Sequence, residues 1–321
     1  MYLRQAGLTR NPTFSYLYSV RCRGQHVASE APLERKYSRW RSYPTKKIVP
    51  INSRHMNRTL LFILLGLTTT VKAINPEREY KFTPDRWGIS YSEYQLKTTD
   101  NYAINVWEYP RPDSLKSNRT IILVGSDAGN MGYLIWQANA FLSKGFRVIA
   151  FDYRGFGKSS DFTINKDFLF YPEFSLDLDS VIKATREKYA NDKIGLYSLS
   201  MGTYVSLLRK EKVDFLIGEG FYHDPQKVID RIKVNKGKVV LLPQFAKAIV
   251  KLDEKIPTMI FCASNDKTTI TEDAKEFAKQ NIVTIIEFKG DHLNGMNVFQ
   301  KNDYGDEYAD KVIEFLNKSG V

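Results

Sequence analysis

The stretch that most restricts the fold is a short apolar run followed by a very tight turn. Residues 194–197 predict a buried strand. Small residues follow at every second position, Ser198, Ser200 and Gly202, and residues 203–208 predict the start of a helix. Side chains at such a turn must be small, because the helix backbone passes close to the strand. The sequence therefore predicts a strand, a sharp turn and a helix, with Ser200 at the apex.

This turn differs by one residue from the pattern G-x-S-x-G, in which the central serine is a nucleophile. Ser198 stands where the pattern has its first glycine, and it still meets the requirement for a small side chain. An ordinary turn between a strand and a helix also accommodates serines. A serine hydroxyl is a weak nucleophile without a base. The nucleophile hypothesis therefore requires an acid and then a histidine further along the chain, in this order.

Both residue types follow predicted strands downstream of the turn. Asp266 comes just after a strand that ends at Cys262, and His292 comes just after a strand that ends at Phe288. The carboxyl ends of neighbouring parallel strands meet at one edge of a sheet. Either residue alone would be read as part of an ordinary surface turn. The order Ser200, Asp266, His292 at strand ends predicts instead a catalytic triad.

Strands and helices alternate along most of the chain. Predicted strands cover residues 120–124, 146–151, 194–197, 215–217, 258–262 and 283–288, and predicted helices cover residues 133–142, 176–189, 203–208, 271–278 and 304–317. Two earlier runs, residues 90–96 and 102–109, flank a polar turn and predict an antiparallel hairpin. The pattern predicts an α/β fold, with a mostly parallel central sheet flanked by helices.

The loop at residues 125–130 is the candidate oxyanion site. Its small residues allow backbone N–H groups to approach a ligand. In the mechanism associated with G-x-S-x-G, the residue after the serine, here Met201, supplies a second N–H group. A plain turn between a strand and a helix is the alternative.

Residues 1–55 differ from the rest of the chain in charge and in pattern. They carry eleven Lys and Arg against two Glu, so most of the net charge of +11 lies in them and the remainder is near neutral. The folded part lacks the basic footprint of a nucleic-acid-binding protein, and no nucleic-acid partner is expected. We interpret this segment as an extension of the gene model upstream of a true start at Met56. A genuine basic arm is the alternative.

Residues 56–73 have the pattern of a secretory signal peptide, with a short basic start, an apolar core and small or branched residues at the end. The apolar core, residues 59–67, is too short for a membrane span of about 20 residues. We therefore expect no stable membrane span in the mature chain, residues 74–321. The single cysteine of that chain, Cys262, suits export to a periplasm or to the cell exterior.

With these features together, the chain resembles the α/β-hydrolases over roughly residues 90–318. It is most similar to their lysophospholipase and serine-aminopeptidase-like (S33-type) branch. The D-Y-R-G-x-G-x-S motif of that branch is intact at residues 152–159, and its H-G-N-A-G-N motif corresponds to residues 125–130. Two departures from the second motif matter most: Gly125 replaces the histidine and Ser126 replaces the following glycine.

The resemblance implies a serine hydrolase that cleaves carboxylic ester, thioester or amide bonds of a small acyl substrate, without a metal or cofactor. Ser200 would attack the acyl carbon, His292 would act as its base and Asp266 would orient the imidazole. The resemblance makes the backbone N–H of Asp127 the oxyanion donor that acts beside Met201. The alternatives are an acyl transferase with the same triad and an α/β-hydrolase-fold binding protein with weakened catalysis.

Specificity in such a fold is expected to depend on a short cap segment, here residues 221–255. This segment contains two short helical patterns and no clear strand. The apolar candidates for a substrate pocket are Phe221, Tyr222, Leu242 and Phe245. Packing of these side chains onto the sheet is the alternative. The sequence leaves the substrate and the oligomeric state open.

Overall fold

The computed structural model describes residues 72–115, 117–243 and 255–321. The interpretations of residues 1–55 and 56–73 fall almost entirely outside these residues and stay predictions. Within the described part of the chain, no helix is long and apolar enough to cross a membrane.

A central eight-stranded sheet organises the described chain. Its strands are β2 (Ser92–Lys97), β3 (Ala103–Tyr109), β4 (Arg119–Val124), β6 (Arg147–Phe151), β7 (Lys193–Leu199), β8 (Phe215–Glu219), β9 (Thr258–Ala263) and β10 (Val283–Phe288). Two further strands of two residues each, β1 (Asn75–Pro76) and β5 (Ala128–Gly129), form a separate pair. The spatial order is β10-β9-β8-β7-β4-β6-β3-β2. Neighbours from β10 to β6 are parallel, whereas β3 and β2 are antiparallel additions at one edge. The predicted mixed, mostly parallel sheet is confirmed.

Helices cover both faces of this sheet. They are α1 (Ile135–Leu142), α2 (Glu173–Lys188), α3 (Met201–Leu208), α4 (Pro225–Lys236), α5 (Thr271–Ala278), α6 (Gly295–Val298) and α7 (Asp306–Lys318). Along β4, Ile122 and Val124 join a hydrophobic cluster with α2 to α5, while Ile121 and Leu123 join a second cluster with α1 and α7. Side chains alternate between the two faces of a strand. The all-apolar run of β4 is therefore explained by burial on both sides.

The predicted cap holds one helix in its described part, α4. The side chain of Asp224 accepts hydrogen bonds from the N–H groups of Gln226 and Lys227, and Pro225 occupies the first turn. Such an acceptor satisfies N–H groups that have no partner within the helix. The helix ends at Gly237, whose φ of 61° lies in the left-handed region that favours glycine.

Two short elements had no signal in the sequence. Strand β1 pairs in parallel with β5, so that Asn75 and Pro76 lie against Ala128 and Gly129. The short helix α6 follows the His292 loop. Elements of two to four residues are too short to show a period of apolar residues, because one or two positions cannot establish alternation.

Candidate active site

Ser200 stands at the apex of the turn between β7 and α3, in a backbone conformation that is rare for a residue other than glycine. Its φ is 49° and its ψ is −114°. The Ser200 N–H donates to the carbonyl oxygen of Glu219 at 2.9 Å, and the Ser200 carbonyl accepts from the N–H of Thr203 at 2.9 Å. Strained backbone of this kind persists only where neighbouring contacts hold it. These two hydrogen bonds supply such support on both sides of the serine.

The small residues around Ser200 are required by close contacts. A Cβ at Gly202 would lie 2.5 Å from the carbonyl oxygens of Val124 and Gly125, well inside van der Waals contact. The hydroxyl of Ser198, which replaces the first glycine of the motif, is buried 2.7 Å from the hydroxyl of Ser206 on α3. A serine is tolerated at this position because its polar atom has a partner.

Ser200, His292 and Asp266 form one hydrogen-bonded chain at the carboxyl edge of the sheet. Ser200 Oγ lies 3.1 Å from His292 Nε2, and His292 Nδ1 lies 2.5 Å from Asp266 Oδ2. Asp266 follows β9 and His292 follows β10, as the sequence predicts. The three residues thus have the spacing and order that a nucleophile, a base and an orienting acid require.

The carboxylate of Asp266 is buried and held by several donors. Besides His292, it accepts hydrogen bonds from the N–H groups of Thr268 and Thr269 at 2.8 and 3.0 Å, and from the Thr269 hydroxyl. Burial opposes ionisation of Asp266, but the hydrogen bonds and charge of His292 and the bonds of Thr269 outweigh it, and they lower the pKa to about 2. Asp266 is therefore ionised at neutral pH.

The two predicted oxyanion donors lie beside the serine. Met201 is the first residue of α3, where backbone N–H groups have no partner within a helix. The carbonyl of Asp127 accepts a hydrogen bond from Asn75 N at 2.8 Å, in the β1–β5 pairing. Its side chain accepts a hydrogen bond from the Ser126 hydroxyl at 2.6 Å. Asp127, Met201 and Ser200 line the same cleft.

This cleft, called here the Ser200 cleft, has a volume of about 250 Å³. Its lining residues are Lys72, Ala73, Asp127, Leu169, Ser200, Met201, Tyr222, Val228, Ile232, Lys236, Lys238, Thr268, Thr269 and His292. Tyr222 is the one predicted pocket residue among them. Phe221 is buried against Phe277, with ring centroids 4.9 Å apart, and Leu242 packs against the core. Phe245 lies outside the described residues.

The lining residues that the sequence did not predict come from four parts of the chain: residues 72–73, Leu169, residues 228–238 and residues 268–269. Val228 and Ile232 are four residues apart and therefore lie on one face of α4. The sequence shows this spacing, but the spacing does not indicate which surface of the protein the helix packs on. Leu169 and Lys72 had no signal in the sequence. Among the described residues, no group of three or more His, Cys, Asp or Glu side chains is arranged to hold a metal ion.

The D-Y-R-G-x-G-x-S motif at residues 152–159 holds the 125–130 loop in place by hydrogen bonds. Asp152 is buried and accepts hydrogen bonds from Met131 N at 2.7 Å and from the Tyr80 hydroxyl. Burial raises its pKa to about 6. The Tyr153 hydroxyl donates to the carbonyl of Gly125 at 3.1 Å. The motif thus anchors both ends of the 125–130 loop, and none of its residues lines the Ser200 cleft.

A second cavity of about 190 Å³ lies next to the same loop. Gly125, Ser126 and Asp152 are among its lining residues, whereas Ser200 and His292 are not. A Cβ at Gly125 would meet only Leu134 within 4 Å, at 3.9 Å. The glycine that replaces the histidine of the motif therefore borders open space.

Comparisons with known proteins agree with this fold. A family model described as serine aminopeptidase, S33, matches residues 120–214. The protein bem46 of Schizosaccharomyces pombe is 23% identical over 267 residues, which is 76% of this chain and 82% of that protein. Among solved structures, an esterase of Pyrococcus furiosus superposes with a TM-score of 0.62 at 21% identity, covering 76% of this chain and 97% of the esterase.

Two further structures are similar over a comparable part of the chain. An esterase of Exiguobacterium antarcticum has a TM-score of 0.50 at 16% identity, with 70% of this chain and 100% of the esterase covered. An α/β serine hydrolase of Xanthomonas campestris, described as lacking a lid, has a TM-score of 0.50 at 15% identity, with 72% and 95% covered. This chain has the α/β-hydrolase fold, and its resemblance to the S33 branch is confirmed.

Proposed function

We propose that this protein is a serine hydrolase that cleaves carboxylic ester, thioester or amide bonds through a covalent acyl-enzyme. The observation that carries the proposal is the hydrogen-bonded chain from Ser200 Oγ through the His292 ring to the ionised carboxylate of Asp266. Ser200 and His292 line a cleft whose lining is partly apolar. Such a cleft gives room for an acyl group beside the nucleophile.

In the proposed first half-reaction, Ser200 Oγ attacks the acyl carbon while His292 Nε2 takes its proton. The N–H groups of Met201 and Asp127 stabilise the negative oxygen of the tetrahedral intermediate. His292 then returns the proton to the leaving alcohol, thiol or amine, and the bond between the acyl carbon and the leaving group breaks. Asp266 holds the ring with Nδ1 protonated and stabilises the imidazolium that forms.

In the second half-reaction, water replaces the leaving group. His292 takes a proton from the water as its oxygen attacks the acyl-enzyme. The proton then passes to Ser200 Oγ as the ester bond to the serine breaks, and the carboxylic acid product leaves. An acyl transferase would use an alcohol or amine in place of water at this step, with the same residues.

The names of two structural relatives favour ester substrates. The Pyrococcus furiosus and Exiguobacterium antarcticum proteins are described as esterases. A fold supports many activities, so this likeness bears on the first choice of substrate and no further. We therefore propose short-chain esters as the first substrates to test.

The direct test is labelling with a fluorophosphonate, which reacts with an activated serine. We expect stoichiometric labelling of Ser200, loss of labelling and of ester hydrolysis in Ser200→Ala, and retention of both in the matched variant Ser198→Ala. The loss of turnover should be several orders of magnitude, because the serine acts as a unit with its base. Product analysis in the presence of added alcohols separates hydrolysis from acyl transfer. A folded wild-type protein that is neither labelled nor active on esters would contradict the proposal and would favour a binding protein.

A further inference from the structure

The cleft that contains Ser200 is lined by three lysines, Lys72, Lys236 and Lys238. Within the described residues, none of the three has a carboxylate oxygen within ion-pair distance. Asp127 is the one acidic side chain among the lining residues, and its hydrogen bond comes from Ser126. Leaving His292 aside, the lining therefore holds three lysines against one aspartate, an excess of basic over acidic side chains.

Of the three lysines, Lys238 is the least exposed to solvent. It is half-buried, while Lys72 and Lys236 are exposed. Burial lowers the pKa of Lys238, and the negative charges of Asp127 and Asp167 act in the opposite direction. An ammonium group that is partly removed from water and has no close anion gains from the arrival of one.

Tyr222 adds a hydrogen-bond donor to the same lining. It is 1% exposed, and its hydroxyl has no hydrogen-bond partner among the described residues. Burial raises the pKa of this phenol well above its usual range, and the charge of Asp127 contributes to the shift. The hydroxyl therefore stays protonated. A buried donor without an acceptor is unfavourable, and an acceptor atom on a bound molecule would remove that cost.

The remaining lining is apolar. Val228 and Ile232 project from α4, and Leu169 and Ala73 complete this wall. The cleft thus joins an apolar surface, a catalytic serine and a group of cationic and N–H or O–H donors within about 250 Å³. A plain aliphatic ester would use the apolar wall and leave the lysines without a partner.

We propose that the substrate carries an anionic group, a carboxylate or a phosphate, in addition to the acyl carbon that Ser200 attacks. Lys238 binds this group with help from Lys236, and the Tyr222 hydroxyl donates a hydrogen bond to it. Lys72 falls within the predicted signal peptide, and the proposal does not depend on it. The inference rests on the proposed hydrolase function and names its substrate class. The bonds made and broken are those of the hydrolysis above, and the anionic group takes no part in them.

The test compares matched anionic and neutral esters in the wild type and in lysine variants. The first pair places the charge on the acyl group: para-nitrophenyl hydrogen adipate is the anionic ester and para-nitrophenyl hexanoate is the neutral one. The second pair places the charge on the leaving group: para-acetoxybenzoate is the anionic ester and para-acetoxybenzamide is the neutral one. The quantity measured is the ratio of kcat/KM for the anionic ester to that for the neutral one. Comparing this ratio between variants cancels the intrinsic reactivities of the two esters.

We expect Lys238→Met to lower this ratio about tenfold in at least one pair, since one close opposite charge at an effective dielectric constant of about 20 contributes an effect of this order or larger. Lys236→Met and Tyr222→Phe should lower it by smaller factors. Lys233→Met is the matched control, because Lys233 is an exposed lysine of α4, the helix that ends at Lys236, and does not line the cleft. It should leave the ratio unchanged. Raising the ionic strength tenfold should also lower the wild-type ratio, because salt screens exposed charges.

The two possible anions are separated by inhibition. Inorganic phosphate and adipate are each tested as competitive inhibitors of para-nitrophenyl hexanoate hydrolysis. Hexanoate, which has the product carboxylate alone, is the control. Inhibition by phosphate stronger than that by adipate assigns a phosphate ester, and inhibition by adipate stronger than that by hexanoate and by phosphate assigns a carboxylate. Equal inhibition by adipate and hexanoate, together with no effect of phosphate, overturns the inference.

Failure of this inference differs from failure of the proposed function. If Ser200 is labelled and esters are hydrolysed, but the ratio is the same in the wild type, Lys238→Met and Lys233→Met, the anion site is wrong and the hydrolase proposal stands. If Ser200 is not labelled and no ester is hydrolysed, the hydrolase proposal is wrong. Calorimetric titration of Ser200→Ala with phosphate or adipate then tests the anion site alone. Should Lys238→Met fail to fold, the exposed Lys236→Met variant gives the same comparison.

Discussion

Glu219 connects the backbone of Ser200 to the loop that carries His292, through a contact with Gly295. The carboxylate of Glu219 accepts a hydrogen bond from Gly295 N at 2.6 Å, and its main-chain carbonyl accepts one from Ser200 N at 2.9 Å. Glu219 is the last residue of β8 and is 2% exposed, and burial raises its pKa. One residue thus holds the backbone at Ser200 and the backbone three residues after His292.

This arrangement predicts different effects for two substitutions of Glu219. Glu219→Gln keeps an oxygen that can accept the Gly295 hydrogen bond, so we expect kcat within about tenfold of the wild type. Glu219→Ala leaves the Gly295 N–H unpaired in a buried position, at a cost of about 1–3 kcal/mol, and frees the His292 loop. We expect kcat to fall by more than tenfold, with a slower rate of fluorophosphonate labelling. Equal loss in both variants would show that the carboxylate matters by its charge and not by holding the loop.

Gly202 is predicted to tolerate no side chain. A Cβ there would lie 2.5 Å from two carbonyl oxygens, of Val124 and Gly125, and backbone atoms cannot move aside as a flexible side chain can. We expect Gly202→Ala to lose folding or at least about 1–3 kcal/mol of unfolding free energy, as overpacking in a core does. Denaturant unfolding measures this. Gly237→Ala is the comparison, since a Cβ at Gly237 would meet nothing within 4 Å and only its positive φ opposes the change. A Gly202→Ala variant as stable as the wild type would contradict the contact.

The depressed pKa of Asp266 predicts a pH dependence of stability. Its folded value is about 2, against about 3.9 for an ordinary Asp. Because the folded value is lower, the ionised carboxylate stabilises the fold above about pH 4, and this contribution is lost as the pH falls through about 2. The shift corresponds to about 2–3 kcal/mol. We expect the difference in unfolding free energy between the wild type and Asp266→Asn to shrink from pH 6 to pH 2.5. A difference that is constant over this range would contradict the assigned hydrogen bonds.

Asp127 is predicted to oppose an anionic substrate. Its carboxylate lies in the lining of the cleft, close enough to influence Tyr222 and Lys238. We expect Asp127→Asn to raise kcat/KM for para-nitrophenyl hydrogen adipate by about two- to tenfold, or roughly 0.4–1.4 kcal/mol of barrier, because one repelling charge is removed. The gain should be smaller for the neutral hexanoate ester. A large drop in rate, with the fold intact and Ser200 still labelled, would mean that the carboxylate takes part in binding or chemistry.

Ser198 is predicted to matter for stability. Its hydroxyl pairs with that of Ser206 in a buried position. Truncating one partner leaves the other hydroxyl without a partner, which costs about 1–3 kcal/mol. We expect Ser198→Ala and Ser206→Ala each to lower the unfolding free energy, while the double variant loses less than the sum of the two. Additive losses would show that the two hydroxyls do not interact.

The sequence by itself determined the fold class and the residues at the strand ends. Alternating strands and helices predicted a parallel sheet with helices on both faces. The strands were recognisable because a strand that is buried on both faces is apolar throughout. The order of Ser200, Asp266 and His292 then followed from where each comes after a strand. In a parallel sheet the carboxyl ends of strands share one edge. A local pattern therefore sufficed to bring together residues that are 92 positions apart.

Tertiary structure alone decided what surrounds these residues. The carboxylate of Glu219 reaches Gly295 across 76 positions, and no local pattern records such a pair. Asn75 fixes the carbonyl of Asp127 through a two-residue strand that has no period. Lys72, Lys236 and Lys238 are ordinary charged residues in the sequence, and they become a group only because the start of the domain and the end of α4 line one cleft. Periodicity reports which face of an element is buried, whereas the partners of that face depend on how distant elements pack.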